Sequence, residues 1–71
     1  SIDFEVLYEM PTGYVGCVRY TTIYPFKPRR TSVYLNGQKL ILGLDYVENE
    51  TTSITFMIPP EPDSIIIDYE R

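Results

Sequence analysis

The sequence predicts an all-β fold, a small antiparallel β-sandwich or barrel of six to seven short strands. Alanine is absent, prolines are scattered along the chain, and β-branched residues and tyrosine dominate, which favours strands over helices. No segment keeps a helical period, whereas several short runs alternate apolar and polar side chains. The connections between these runs are too short for helical crossovers, so neighbouring strands are expected to pair antiparallel.

The size of the chain indicates that neighbouring molecules contribute to its stability. The 71 residues form one predicted domain, residues 1–71. A chain this short buries only roughly 60% of the surface that its unfolded form exposes. Cys17 is the only cysteine, so no intrachain disulfide can form, and histidine is absent, which removes the usual zinc ligands. Oligomerisation or packing into a larger assembly is the remaining common source of stability.

The N-terminal third contains two predicted strands. Residues 2–8 alternate, which is typical of a strand with one buried face and one wet face. The face expected to be buried holds Ile2, Phe4, Val6 and Tyr8. The face expected to be wet holds Asp3, Glu5 and Glu9. Residues 20–24 form the next strand, which ends at Pro25 because proline cannot donate to a β-ladder.

The stretch at residues 32–40, SVYLNGQKL, predicts a β-hairpin. Asn36-Gly37 between alternating runs indicates a type I′ turn, because both central residues of that turn need a positive φ. The turn pairs Leu35 with Gln38 and Tyr34 with Lys39. Directly paired residues share a face. This register therefore places Val33, Leu35 and Leu40 in an apolar cluster, with the tyrosine and the lysine on the opposite face.

The C-terminal half supplies the remaining strands. A short extended piece is expected at residues 45–47, followed by alternating strands at 53–58 and 64–69. In the first alternating strand Ile58 is expected on the buried face, and in the last strand Tyr69 shares a face with two isoleucines. Two sheets around one shared core would use Phe4, Val6, Val33, Leu35, Leu40, Ile54, Phe56, Ile65 and Ile67.

Composition argues against an enzyme and against several classes of partner. Without histidine the commonest general base is missing, and Cys17 has no partner to make it a thiolate, so it is interpreted as a buried or incidental thiol. No cofactor or metal is expected. A net charge of −4 disfavours nucleic acid, whose phosphates attract excess lysine and arginine. No apolar run approaches the roughly 20 residues that cross a bilayer, so no membrane contact is expected.

Two surface features suggest binding to another molecule. Lys27, Arg29 and Arg30 form a basic cluster that keeps a loop soluble or docks on an acidic surface, for instance the Asp3/Glu5/Glu9 face of a neighbouring copy. Seven tyrosines pack in the sheets or line a binding surface. The tyrosines considered for such a surface are Tyr14, Tyr24, Tyr34 and Tyr46. The predicted protein interface consists of Lys27, Arg29, Arg30, Asp3, Glu5 and Tyr34.

Four stretches follow one another along the chain in a distinctive order. They are YEMPTG at residues 8–13, RYTTIYPFKP at 19–28, SVYLNGQKL at 32–40 and GLDYVENETTSITFMIPPEPDSIIIDY at 43–69. This order resembles a small β module of bacteriophage virion proteins of the tail-fibre, baseplate, neck or decoration type. In that module a PTG or PSG turn precedes a strand rich in threonine and aromatic residues. A V-Y/F-L-N-G strand, a G-x-D-Y stretch, an I-T-F strand and a proline-containing loop follow.

The resemblance implies a virion structural protein, a small non-enzymatic adaptor or decoration subunit of the tail, neck or capsid. Such a subunit would bind other virion proteins and copies of itself, in the virion and in the host cytoplasm during assembly. The shared residues form the fold and imply no binding site. They are Gly13, Asn36, Gly37, Gly43, Asp45 and Tyr46. The alternative is a carbohydrate-binding receptor-recognition module of a tail fibre, which would use exposed tyrosines to bind a glycan.

Overall fold

The computed structural model describes residues 6–71, and this part of the chain forms two antiparallel β-sheets. The strands are β1 (Val6–Glu9), β2 (Arg19–Thr21), β3 (Thr31–Leu35), β4 (Gln38–Lys39), β5 (Tyr46–Asn49), β6 (Ser53–Phe56) and β7 (Ile65–Glu70). One sheet has the strand order β1-β7-β3-β4 and the other the order β2-β6-β5. A short 3-10 turn, Pro62–Ser64, leads into β7. The predicted all-β fold of short antiparallel strands is confirmed.

The β3–β4 hairpin has the predicted turn and register. Asn36 and Gly37 have φ values of 53° and 82°, the left-handed conformations that a type I′ turn needs. Leu35 pairs with Gln38 and Tyr34 with Lys39. The buried Val33 and the partly buried Leu35 and Leu40 pack together with the core, as the alternation predicts.

The core confirms most of the predicted positions and adds large aromatic side chains. Val33, Ile54, Phe56, Ile65 and Ile67 are buried, and Leu35 and Leu40 pack against them. The buried residues that the core prediction omitted are Cys17, Tyr20, Phe26, Tyr46 and Tyr69. Tyr20 meets Phe56 edge-on with ring centroids 5.5 Å apart, and Phe26 meets Tyr69 at 6.3 Å. Aromatic rings thus fill much of the space between the sheets, and Cys17 is a buried thiol.

The predicted inward face of the first strand is wrong. Val6 and Tyr8 are 62% and 65% exposed, whereas Leu7 packs against the core and Glu9 is half-buried. The cause is the pairing of β1 with β7, which sets Leu7 opposite Tyr69 and Glu9 opposite Ile67. Paired residues share a face, so Leu7 and Glu9 turn inward with their buried partners. Phe4, also predicted in the core, lies outside the described residues.

Strand ends account for two further differences from the prediction. β6 ends at Phe56, so Ile58 is exposed instead of continuing the buried face. β2 is shorter than the predicted strand at 20–24 and ends at Thr21, after which Thr22 bonds to the β5–β6 turn through its N–H and Thr52 O, 3.0 Å apart. Tyr20 and Thr22 are buried, whereas Tyr24 is exposed.

Candidate functional site

The two lateral sides of the sandwich are built differently. On one side β4 and β5 are the edge strands of their two sheets, and residues 40–45 connect them. Leu42 forms an isolated parallel bridge with Tyr46, Gly43 N–H donates to Tyr46 O at 2.7 Å, and Ile41 N–H donates to the Asp45 carboxylate at 2.8 Å. We call this the sealed side.

Tyr46 anchors the sealed side, so of the two alternatives for the tyrosines, packing or a binding surface, it takes the packing one. It is only 1% exposed, and its hydroxyl donates to Thr31, with the carbonyl O at 3.2 Å and Oγ1 at 3.0 Å. Thr31 Oγ1 donates in turn to Glu48 at 2.6 Å. Burial raises the pKa of Tyr46 above its ordinary value of 10.0. This network ties β3 of one sheet to β5 of the other.

On the opposite side, β1 and β2 border an open groove of about 590 Å³. We call this the open side. The groove is lined by Tyr8, Glu9, Met10, Pro11, Thr12, Tyr14, Cys17, Arg19, Thr21 and Ile23. Four of these side chains are large, apolar and more than half exposed: Tyr8, Met10, Tyr14 and Ile23. An exposed apolar cluster beside two strand edges is typical of a surface that binds another molecule.

Glu9 closes the floor of this groove. Its carboxylate accepts the Ile23 N–H at 3.1 and 3.2 Å and also accepts the hydroxyl of Tyr69. The Tyr69 hydroxyl accepts the Tyr24 N–H at 3.3 Å. Burial, and then the hydrogen bond to the Glu9 carboxylate, raise the pKa of Tyr69 to about 12. Glu9 therefore joins β1 to the segment after β2, and its charge is satisfied within the chain.

The outer edge of β1 presents backbone groups to solvent. Each residue of an antiparallel strand directs its N–H and C=O to the same side, and successive residues alternate. Glu70 bonds toward the β3 side, since its N–H donates to Arg30 O at 3.3 Å and its carbonyl accepts the Lys27 N–H at 2.8 Å. Tyr69 and Ile67 of β7 therefore bond to β1, at Leu7 and Glu9. Val6 and Tyr8 therefore direct their backbone N–H and C=O groups away from β7. No strand within residues 6–71 pairs with this outer edge of β1.

The same reasoning applies to β2. Phe56 N–H donates to Val18 O at 2.8 Å, and Thr22 bonds to Thr52, so even-numbered residues of this stretch face β6. Arg19 and Thr21 consequently direct their backbone groups toward the groove. The backbone carbonyl of Arg19 accepts a hydrogen bond from the Cys17 thiol at 3.2 Å. The Arg19 side chain donates from Nε to Ser53 Oγ at 3.2 Å. One outward group of β2 is thus already occupied.

The structure places the predicted basic cluster at the turn before β3. Arg29 is exposed with φ 64°, and its N–H donates to Glu48 at 2.9 Å. Arg30 is also exposed, with Nε 4.0 Å from the Glu70 carboxylate. Lys27 is half-buried. Asp3 and Glu5, the other charged residues of the predicted interface, lie outside the described residues.

Arg30 and Tyr34 belong to the outer face of the four-stranded sheet. Tyr34 is half-buried there, opposite Ile66 and Lys39. Arg30 lies in one row with Glu70 and Val6, and with Val6 it lines a shallow depression. The structure therefore brings two predicted interface residues onto the face that also carries Val6 and Tyr8, which the sequence pattern assigned to the core.

Of the four exposed side chains on the open side, sequence reasoning named Tyr14 as a surface candidate and missed Tyr8, Met10 and Ile23. Two alternations compete in β1, because the apolar Leu7 lies between Val6 and Tyr8. This exception was the available signal that Val6 and Tyr8 could face outward.

A second apolar depression, of about 280 Å³, lies between the β3–β4 hairpin and the end of β6. It is lined mainly by Leu35, Leu40, Leu44, Phe56, Met57, Ile58 and two prolines, Pro59 and Pro60.

Tyr20 lies beside Cys17, one of the residues that line the groove. Tyr20 is buried, its hydroxyl has no hydrogen-bond partner among the described residues, and burial beside the Cys17 thiol raises its pKa. In the chain from Val6 onward, no three carboxylate or thiol side chains come close enough to share a metal ion.

No helix of residues 6–71 is long and apolar enough to span a bilayer. Comparison with protein-family models, curated proteins and solved structures finds no match.

Proposed function

We propose that this chain is a small non-enzymatic assembly subunit of a bacteriophage virion, an adaptor or decoration protein of the tail, neck or capsid. The observation that carries the proposal is the open side, where unpaired strand edges border a groove flanked by exposed apolar side chains. The assignment to a virion rests on the ordered motifs of residues 8–69 and their resemblance to phage modules.

Two physical arguments favour assembly. Exposed apolar clusters on a small domain mark surfaces that are covered in the functional state. A 71-residue chain with one cysteine also gains from burying surface against neighbours, because its own core is small. The charged residues that line the groove, Glu9 and Arg19, already make hydrogen bonds within the chain.

Particles of the phage that encodes this chain provide the test. Quantitative mass spectrometry of purified particles should find the chain in a fixed ratio to the major capsid protein. Tyr8→Glu adds one negative charge to the open side and should remove the chain from particles, because a carboxylate would be buried unpaired. Gln38→Glu adds the same charge on the exposed β4 and should leave incorporation unchanged. Absence of the wild-type chain from particles would overturn the proposal.

A second candidate function, glycan binding, is favoured by one observation. Tyr8 and Tyr14 are exposed on the same groove, beside the polar side chains of Arg19 and Thr21. Aromatic rings with a few polar groups form a suitable floor for a sugar. In this case the wild-type chain binds glycans on a broad array and Tyr14→Ala does not, whereas Tyr34→Ala, which does not line the groove, still binds. An array without binding excludes this function.

A further inference from the structure

We propose that the outer edge of β1 pairs with β1 of a second copy, forming a two-fold antiparallel dimer in which two four-stranded sheets become one of eight strands. The inference rests on the proposed assembly function and names a partner for the open side. Its basis is the backbone of β1, where Val6 and Tyr8 direct their N–H and C=O groups away from β7. These groups are placed to pair with another strand.

The four sheet edges differ in how they are protected. β2 is three residues long, carries the charged Arg19 and uses one outward carbonyl for Cys17. β4 has only two residues, one of them Lys39, and β5 is bridged by Leu42. Natural proteins guard edges with short strands, lysine, proline or a covering segment. Val6–Glu9 contains no lysine and no proline, and no segment of the described chain covers its outer edge, so β1 is the edge suited to strand addition.

The side chains of β1 are self-complementary about Tyr8. Val6, Tyr8 and Met10 alternate along the chain and are each more than 60% exposed. A two-fold axis through Tyr8 sets Tyr8 opposite Tyr8 of the second copy and Val6 opposite Met10 of the second copy. All directly opposed pairs on this face are then apolar, and such cross-strand pairs stabilise a sheet.

Charge also permits a second copy at this edge. The chain carries a net charge of −4, so two copies repel each other in general. The carboxylate nearest the axis in the described chain is that of Glu9, which turns inward and accepts hydrogen bonds from Ile23 and Tyr69. In the proposed register it lies opposite Leu7 of the second copy. The new contact therefore pairs no described carboxylate with another.

The contact is a single strand pair, which sets the conditions for its detection. Stable interfaces bury about 1,200–2,000 Å² in total, and one short strand on each side buries less. Dimerisation is therefore expected at micromolar concentration or above and becomes stronger at higher salt, where repulsion between the acidic copies is screened. Chemical cross-linking captures such a contact and reports its register.

The register is tested by cysteine cross-linking in a Cys17→Ala background. Tyr8→Cys should form an intermolecular disulfide, because directly hydrogen-bonded partners have Cα atoms about 5.5 Å apart, within the range of about 4.4–6.8 Å for disulfides. Val6→Cys alone should not, since its symmetry mate would be displaced by four residues, about 14 Å. A mixture of Val6→Cys with Met10→Cys should again cross-link.

The backbone contact is tested by proline substitution and sedimentation equilibrium of the full chain. Tyr8→Pro removes an N–H that makes no bond to β7, a position where an edge strand accepts proline. It should weaken dimerisation by about tenfold or more, because symmetry removes two hydrogen bonds. Tyr8→Thr, which keeps the N–H, separates the side-chain contribution. Thr21→Pro, the matched change on β2, should leave dimerisation within about twofold.

Several results would overturn the inference. These are a monomeric wild-type chain at millimolar concentration, equal cross-linking of Val6→Cys and Tyr8→Cys, or sensitivity to Thr21→Pro instead of Tyr8→Pro. Cross-linking of Tyr8→Cys to Ile58→Cys but not to itself would also overturn it, since it indicates a head-to-tail contact. A monomer that is still incorporated into particles refutes the dimer and leaves the proposed function intact. A Tyr8-linked dimer absent from particles refutes the virion function alone.

Discussion

The contact between Gly13 and Tyr20 gives a quantitative prediction about the core. A Cβ added to Gly13 would lie 2.2 Å from Cε2 of Tyr20 and 2.6 Å from its Cζ and hydroxyl oxygen. Non-bonded carbon atoms pack at roughly 3.5–4.0 Å, so the ring would have to move by more than about 1 Å. Tyr20 is 1% exposed and meets Phe56 edge-on, which leaves it no space in which to move.

Gly13→Ala should therefore destabilise the domain by overpacking. Such insertions into a filled core cost about 1–3 kcal/mol. For a domain of this size, each kcal/mol lowers Tm by about 4–8 °C, so a fall of about 4–24 °C is expected. Urea unfolding followed by circular dichroism, together with a thermal scan, measures both quantities. Unfolding at an unchanged urea midpoint would show that Tyr20 does not fill the space beside Gly13.

A double-mutant cycle separates this clash from other effects of alanine. Tyr20→Met replaces the rigid ring by a flexible chain, so Gly13→Ala should cost at least about 1 kcal/mol less in that background. Gly16→Ala is the matched control, because Gly16 has φ 89° but no heavy atom within 4 Å of an added Cβ. Its cost, about 1–2 kcal/mol from the left-handed backbone, should be equal in both backgrounds. Equal costs of Gly13→Ala in the two backgrounds would refute the reasoning.

Three further predictions concern the buried hydroxyls and the hairpin. The pKa of Tyr69 is about 12 in the folded state against 10.0 for the free side chain, so the unfolded chain releases this proton first as pH rises. The contribution of this group to stability is full below pH 10.0 and falls by up to about 3 kcal/mol as pH rises to about 12. Tyr69→Phe should remove this part of the fall in the urea midpoint, whereas the raised pKa values of Tyr20 and Tyr46 leave the rest. Gly37→Ala should cost about 1–2 kcal/mol, since Gly37 has φ 82° and open space around it; full thermal stability would contradict the turn assignment. Thr31→Val should lower the free energy of unfolding by about 1–3 kcal/mol, because Glu48 loses a hydrogen-bond donor and the Tyr46 hydroxyl keeps only the Thr31 carbonyl as a partner. The control Ser32→Ala, next in the chain, should change the urea midpoint little.

Local chemistry made the hairpin and the last strand predictable. At Asn36-Gly37 the turn residues and the alternation on both sides demand the same register, and no distant contact can change that register without breaking one of them. β7 was predictable for a related reason, because Ile65, Ile67 and Tyr69 form one uninterrupted apolar face. Its alternation is typical of a strand with one buried face. In the structure β1 and β3 pair with its two edges.

The face of β1 and the open side depend on contacts that local sequence does not encode. Val6, Leu7 and Tyr8 satisfy two alternations, and only the non-local pairing with β7 decides between them. Strand order is equally non-local, so neither the unpaired edge nor the groove beside it could be located from composition. The position of Tyr46 stayed open between surface and core because a tyrosine suits both when its hydroxyl finds a partner, here Thr31.

The sealed side limits how large an assembly built on β1 can become. Residues 40–45 and the bond between Tyr46 and Thr31 occupy the flank where a further strand would otherwise add. Two copies joined at β1 would use that edge on each other, and the edges left outside would be the short strands β2 and β4, which carry Arg19 and Lys39, and the bridged strand β5. The product is a closed pair with a defined end point instead of a growing fibre. Such a limit would let a chain of this kind accumulate in the cell at high concentration without polymerising.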